Sequence, residues 1–68
     1  MNSNLLKSEM VKVGHTNKDL ADLLGLSEAT IYNRLSGKNP FTQNEIMLIK
    51  ETYHLSAQDV DAIFMGGS

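Results

Sequence analysis

The chain has 68 residues and no cysteine, which leaves room for one small domain and excludes disulfides and thiolate metal sites. A domain of this size buries only about 60% of the surface its unfolded chain exposes, so its elements must pack economically. Net charge is −2, a weak footprint for a polyanion binder, and it is unevenly spread: Lys7, Lys12, Lys18, Arg34 and Lys38 against Glu9, Asp19, Asp22 and Glu28 give +1 up to residue 44, then Lys50 against Glu45, Glu51, Asp59 and Asp61 gives −3.

Apolar spacing is helical nearly throughout, with no sustained alternation of the kind strands need. Leu6, Met10 and Val13, flanked by Leu5, predict a first helix from Ser3 to Val13, with Asn2 or Ser3 as N-cap and Gly14 as its stop. Thr16 followed by Asp19 resembles a capping box, although aspartate reaches back less well than glutamate. Leu20, Ala21, Leu23 and Leu24 then form one apolar face that ends at Gly25. Ser27 is the next N-cap, Glu28 suits the first turn, and Ile31 with Leu35 makes an inward pair before the stop at Ser36-Gly37. Lys38-Asn39-Pro40 reads as a loop. Phe41 precedes a true capping box, Thr42 with Glu45, and is placed to staple against Ile46 or its neighbours. Ile46, Ile49 and Tyr53 carry the fourth helix inward. Leu55-Ser56 opens a fifth, capped by Ser56 with Asp59 and striped by Val60, Ile63 and Phe64. The fold expected is all-α: five short helices in one domain over residues 1–65, with Gly66, Gly67 and Ser68 as a tail flexible by composition.

Residues 16–37 combine a helix, a tight turn and a second helix. Ala21 keeps the two helices close, Gly25 takes the positive φ of the reversal, Leu26 plugs the gap beneath it, and Ile31 locks the second helix on the first. A pair held at roughly a right angle presents its second helix in the way that suits a DNA major groove.

The segment TNKDLADLLGLSEATIYNRLSGK, residues 16–38, resembles the helix-turn-helix of the Cro and lambda-repressor type, and the likeness extends over about residues 4–64. LSGKNPFTQNEI followed by LSAQDVDAIF is similar to small Cro-like proteins of phages and prophages of Gram-positive bacteria. The resemblance implies a recognition helix whose Ser27, Glu28, Ala29, Thr30, Tyr32 and Asn33 reach base edges. Ala29 and Thr30 suit a thymine methyl, and Asn33 suits adenine. Glu28 either accepts from cytosine or serves the helix dipole and repels phosphate. Tyr32 either touches phosphate or sugar or packs partly on the preceding helix. Asn17 stands where the family's usual glutamine bonds a phosphate. Lys18, Lys38, Asn39, Thr42, Gln43 and Asn44 are further phosphate candidates. Arg34 falls where many relatives have an apolar residue; it either snorkels toward an acid such as Asp22 or reaches a phosphate.

The implied function is a Cro-like repressor of a phage lysis–lysogeny switch, holding a double-stranded operator as a homodimer. Helix five, with Val60, Ile63, Phe64 and Met65, is expected to pack partly on the core and partly on the partner. A second reading keeps the fold but changes the ligand: an antirepressor that binds a partner repressor protein, which suits the net acidity and Glu28. A third, an antitoxin of similar fold, finds no distinctive residue. Nothing points to an enzyme, a metal or another cofactor: there is no glycine-rich phosphate loop, no metal-ligand spacing and no nucleophile–base pairing. His15 and His54 stand apart at helix junctions and read as satisfied or exposed, and the methionines read as filler. Asp19/Asp22 and Asp59/Asp61 lie where the helix dipole explains them. No run of about 18 apolar residues is present, and the first residues lack a basic leader and apolar core, so the cytoplasm is the expected compartment.

Overall fold

The computed structural model describes residues 1–65, so the expected tail at Gly66–Ser68 lies outside the described residues. The chain is all-α: α1 (Ser3–Lys12), α2 (Asn17–Leu24), α3 (Glu28–Leu35), α4 (Gln43–Thr52) and α5 (Ala57–Val60), the last continuing into a π-helical turn, Asp61–Met65. Each helix starts where a side-chain oxygen can take up an orphan backbone N–H. Asn2, not Ser3, caps α1 and accepts from the Leu5 N–H at 3.3 Å. Reciprocal capping boxes open α2 (Thr16 with Asp19), α4 (Thr42 with Glu45) and α5 (Ser56 with Asp59). The aspartate at α2 reaches back well, its Oδ2 accepting from the Thr16 N–H at 2.7 Å. Ser27 caps α3 by accepting from the Thr30 N–H at 3.1 Å.

The turn after α2 is closed by Gly25 at φ 69°, with the Leu26 N–H donating to the Ala21 carbonyl at 2.9 Å. This six-residue bond needs a left-handed residue before it, which only glycine adopts cheaply. The end of α4 uses the same bond, Leu55 N–H to Lys50 carbonyl at 2.9 Å, with His54 at φ 53° in the left-handed position. Histidine is among the side chains that enter this region more often than most.

The helices close on a core of Leu6, Met10, Leu20, Ala21, Ile31, Leu35, Phe41, Ile49, Tyr53, Leu55 and Ile63, of which Leu6, Leu20, Ile31 and Ile49 lose all contact with solvent. Burial of such a side chain stabilises by about 1.5–3 kcal/mol. α2 packs on α3 and α4, and α1 packs on the closing π turn, where the Asn2 N–H donates to the Ile63 carbonyl at 2.7 Å. Val13 departs from expectation. It is the C-cap of α1 at φ −107° and ψ 8°, out of helical phase, and is 54% exposed instead of completing the inward stripe. Phe41 is buried as expected, but its ring packs edge-to-face on Phe64 with centroids 5.6 Å apart, while Ile46 lines the adjoining groove.

Candidate nucleic-acid interface

The inward positions of α3 decide its outward ones. With Ile31 and Leu35 in the core, helical geometry turns Ala29 and Asn33 away from it and Tyr32 to its side, while Glu28, in phase with the inward pair, stands exposed in the first turn. Ser27, Glu28, Ala29 and Tyr32 are exposed, whereas Thr30 and Asn33 are half-buried. The Ser27 hydroxyl donates to Thr30 Oγ1 at 2.9 Å, so Thr30 is partly engaged by the cap.

Residues expected to meet phosphate border this face from two sides. Asn17, the first residue of α2, shares a notch with Tyr32, Leu35, Ser36, Ser3 and Lys7. Tyr32 is 68% exposed at its edge. Sequence reasoning missed Lys7 and Ser36 here, because their nearness to Asn17 exists only once α1 is placed beside α3. On the other side, Lys38 and Asn39 follow α3 with both backbone N–H groups donating to the Asn33 carbonyl, at 3.0 and 3.3 Å. Lys38, Asn39, Thr42, Gln43 and Asn44 are all exposed.

Two of the cations expected to touch phosphate are already paired. Lys18 bonds Asp22 at 3.2 Å on the open surface of α2, a pair that solvent weakens. Arg34 neither snorkels to Asp22 nor stands free. Its Nε and an NH2 donate to the two carboxylate oxygens of Glu45, at 3.1 and 3.2 Å, with only 17% and 12% of the two side chains exposed. Asp22 is paired with Lys18, one turn before it on the same helix, and the start of α4 brings Glu45 within reach of Arg34. Among the described residues Lys38 belongs to no ion pair.

The dimer residues expected on helix five also divide. Ile63 is 2% exposed and belongs to the core of its own chain, so it is not available to a partner. Val60 and Phe64 are half-buried against that core, and Met65 is 66% exposed. His15 is not isolated: its Nδ1 lies 2.9 Å from the Tyr53 hydroxyl and the rings meet edge-to-face, tying the α1–α2 junction to the end of α4. No group of side chains suited to hold a metal ion occurs among the described residues, and none of their helices is long and apolar enough to cross a membrane.

Several carboxyls are held in the charged form. Burial raises the Glu45 carboxyl, but the Arg34 hydrogen bonds and the Thr42 N–H outweigh it and leave it below its ordinary value. The Thr16 N–H and hydroxyl lower Asp19, and the Ser56 N–H and hydroxyl lower Asp59. Burial raises the Tyr53 phenol, helped by the charge of Asp19. A lowered carboxyl stabilises the fold fully above its unfolded value and stops doing so as pH falls through its folded one. Urea denaturation across pH should therefore show stability dropping below about pH 5 as these three groups take up protons. A curve still level at about pH 3 would show that the charge on these three carboxyls contributes nothing to stability.

A helix, a glycine turn and a second helix with an outward polar face, set among flanking helices, define a helix-turn-helix unit. Residues 6–60 match the family model described as Helix-turn-helix, and the chain belongs to this family, a family of DNA-binding regulatory domains that includes the Cro and lambda-repressor type the sequence resembles. No curated protein and no solved structure matches the chain.

Proposed function

We propose that the chain is a Cro-like repressor of a phage lysis–lysogeny switch, acting in the cytoplasm and reading a short operator as a homodimer. The observation that carries this reading is the outer face of α3: Ala29, Tyr32 and Asn33 turn from the side of the helix that is fixed in the core, and Glu28 stands exposed in its first turn, which leaves the four side chains for a ligand to meet. Ser27 and Thr30 at the start of the same helix complete the base-reading set. Asn17 and Lys18 on one flank, and Lys38, Asn39, Thr42, Gln43 and Asn44 on the other, supply phosphate contacts that set the docking pose. Two such helices need a spacing of about 34 Å to meet successive major grooves. Phe64 and Met65, with Val60 beside them and the groove of Gln43, Ile46 and Met47 next to Met65, form the surface through which a second copy would set that spacing.

One observation favours the second reading, an antirepressor that binds a partner repressor protein. Lys18 and Arg34 are neutralised by Asp22 and Glu45, while Glu28 stands exposed at the tip of α3. Such a face suits a basic recognition surface as well as it suits DNA.

Fluorescence anisotropy with labelled duplex from the region flanking the gene, at two salt concentrations and with excess non-specific DNA, decides between them. Salt-sensitive binding that survives competition is the expected result, and no binding up to tens of micromolar would transfer the proposal to the protein partner. Within the DNA reading, Lys38→Ala should weaken all duplexes alike and reduce the salt slope by about 0.9. Asn33→Ala should change discrimination at one base pair, by about 1–3 kcal/mol if the contact is bidentate.

A further inference from the structure

The Arg34–Glu45 pair joins two parts of the proposed DNA surface that the chain connects only through a loop. Arg34 sits in the last turn of α3, beside the outward Asn33. Glu45 is the third residue of α4, and its Oε1 accepts both from Arg34 Nε at 3.1 Å and from the Thr42 N–H at 2.9 Å. Its Oε2 accepts from an Arg34 NH2 at 3.2 Å. The carboxylate is thus held at three points, two on the recognition helix and one on the start of its own helix. Every phosphate candidate on this flank, Lys38, Asn39, Thr42, Gln43 and Asn44, lies in the segment between the two ends of the bridge. Within that segment the Lys38 and Asn39 bonds to the Asn33 carbonyl hold its beginning and the buried Phe41 anchors its middle on Phe64, while the Arg34–Glu45 fork is the side-chain hydrogen bonding that ties the first turn of α4 to α3. A two-bond fork to a mostly buried carboxylate fixes direction as well as distance.

Resting on the DNA-binding reading, we propose that Arg34 is a positioning residue and not a phosphate ligand: through Glu45 it sets the register between the base-reading face of α3 and the phosphate-binding start of α4. Specificity depends on this register, because base contacts are made only if the phosphate contacts hold the helix at the right depth and angle.

The two roles predict opposite signs for Glu45→Gln. The amide keeps the length of the side chain and an oxygen for the Thr42 N–H, but it removes a negative charge and releases Arg34. If Arg34 were a phosphate ligand held in reserve, E45Q would bind every duplex more tightly and steepen the salt dependence by about one phosphate contact. If Arg34 positions, E45Q lowers the ratio of affinities for the gene-flanking duplex over a non-specific duplex of equal length, by about tenfold, the scale of one good base contact. The salt slope then stays at the wild-type value. Arg34→Lys adds an independent arm. It keeps the charge and loses the fork, so a phosphate ligand would tolerate it and a positioning residue would not.

The 68-residue chain and both variants are titrated with the two duplexes at two salt concentrations, well below their thermal midpoints. A lowered ratio with unchanged slope in both variants is the expected result. A wild-type ratio in either variant, even with a lowered thermal midpoint, would reduce the bridge to a stabilising contact and overturn the inference. Tighter binding by E45Q would overturn it in favour of the phosphate role. Failure of the wild-type chain itself to bind the flanking duplex would remove the DNA reading and this inference together, which distinguishes that outcome from the other two.

Discussion

Ile31→Ala should cost the domain about 2–5 kcal/mol and lower its thermal midpoint by at least roughly 8 °C. Ile31 is fully buried on α3 and is one of four side chains that meet no solvent at all. Removing three of its carbons loses their transfer free energy and leaves a cavity that neighbouring helices fill only by moving. A chain of this length commands roughly 3–10 kcal/mol of total stability, so the substitution consumes a large share of it. Tyr32→Ala, one residue along and 68% exposed, is the matched comparison and should stay within about 0.5 kcal/mol of the parent. Urea denaturation of the two variants measures both values. A loss under about 1 kcal/mol at Ile31 would mean that the site collapses freely and that α3 is not anchored there.

Ala21→Leu should be the next most damaging change, and its effect should fall more heavily on recognition than on folding. Ala21 is 2% exposed on α2, the helix that packs on α3, and its carbonyl accepts the Leu26 N–H that closes the turn. Three added carbons cost about 1–3 kcal/mol if the helices hold their places. If they part instead, the strain is relieved by tilting α3, which moves Asn33 and Glu28 from the positions the phosphate contacts set. Ala29→Leu makes the same chemical change on the exposed side of α3 and should leave stability within about 0.5 kcal/mol. Thermal unfolding and the two-duplex affinity ratio would be read on both. Equal stability of the two variants would show that α2 and α3 do not approach closely at Ala21.

The contrast between these substitutions follows what was legible in the sequence. Helix starts could be read because capping is local: Thr16 with Asp19, Thr42 with Glu45 and Ser56 with Asp59 each close within three residues. Ile31 and Leu35 could be placed inward for the same reason, since one helical turn fixes both. Arg34 could not be resolved between Asp22 and phosphate, because its partner lies eleven residues on, across a loop whose path decides which turn of α4 arrives beside α3. His15 looked isolated because Tyr53 is 38 residues away. How Val60, Ile63, Phe64 and Met65 divide between the core and a partner chain was not legible, because the apolar surplus of helix five suits both. The π turn and the packing of α1 on it take Ile63 into the core, and no periodicity announces that closure. For the proposed interface, the outward face of α3 was legible once its inward pair was known, whereas Lys7 beside Asn17 was not.

The chain has two tyrosines and no tryptophan, so its ultraviolet emission comes from two phenols in contrasting surroundings. Tyr32 stands in solvent on the outer face of α3, and Tyr53 is 6% exposed with its hydroxyl against His15. The first changes environment when a ligand covers α3, and the second when α4 leaves the α1–α2 junction. Tyr32→Phe therefore leaves a molecule whose light reports only on the integrity of the fold, and Tyr53→Phe one whose light reports only on docking, with no dye attached to either.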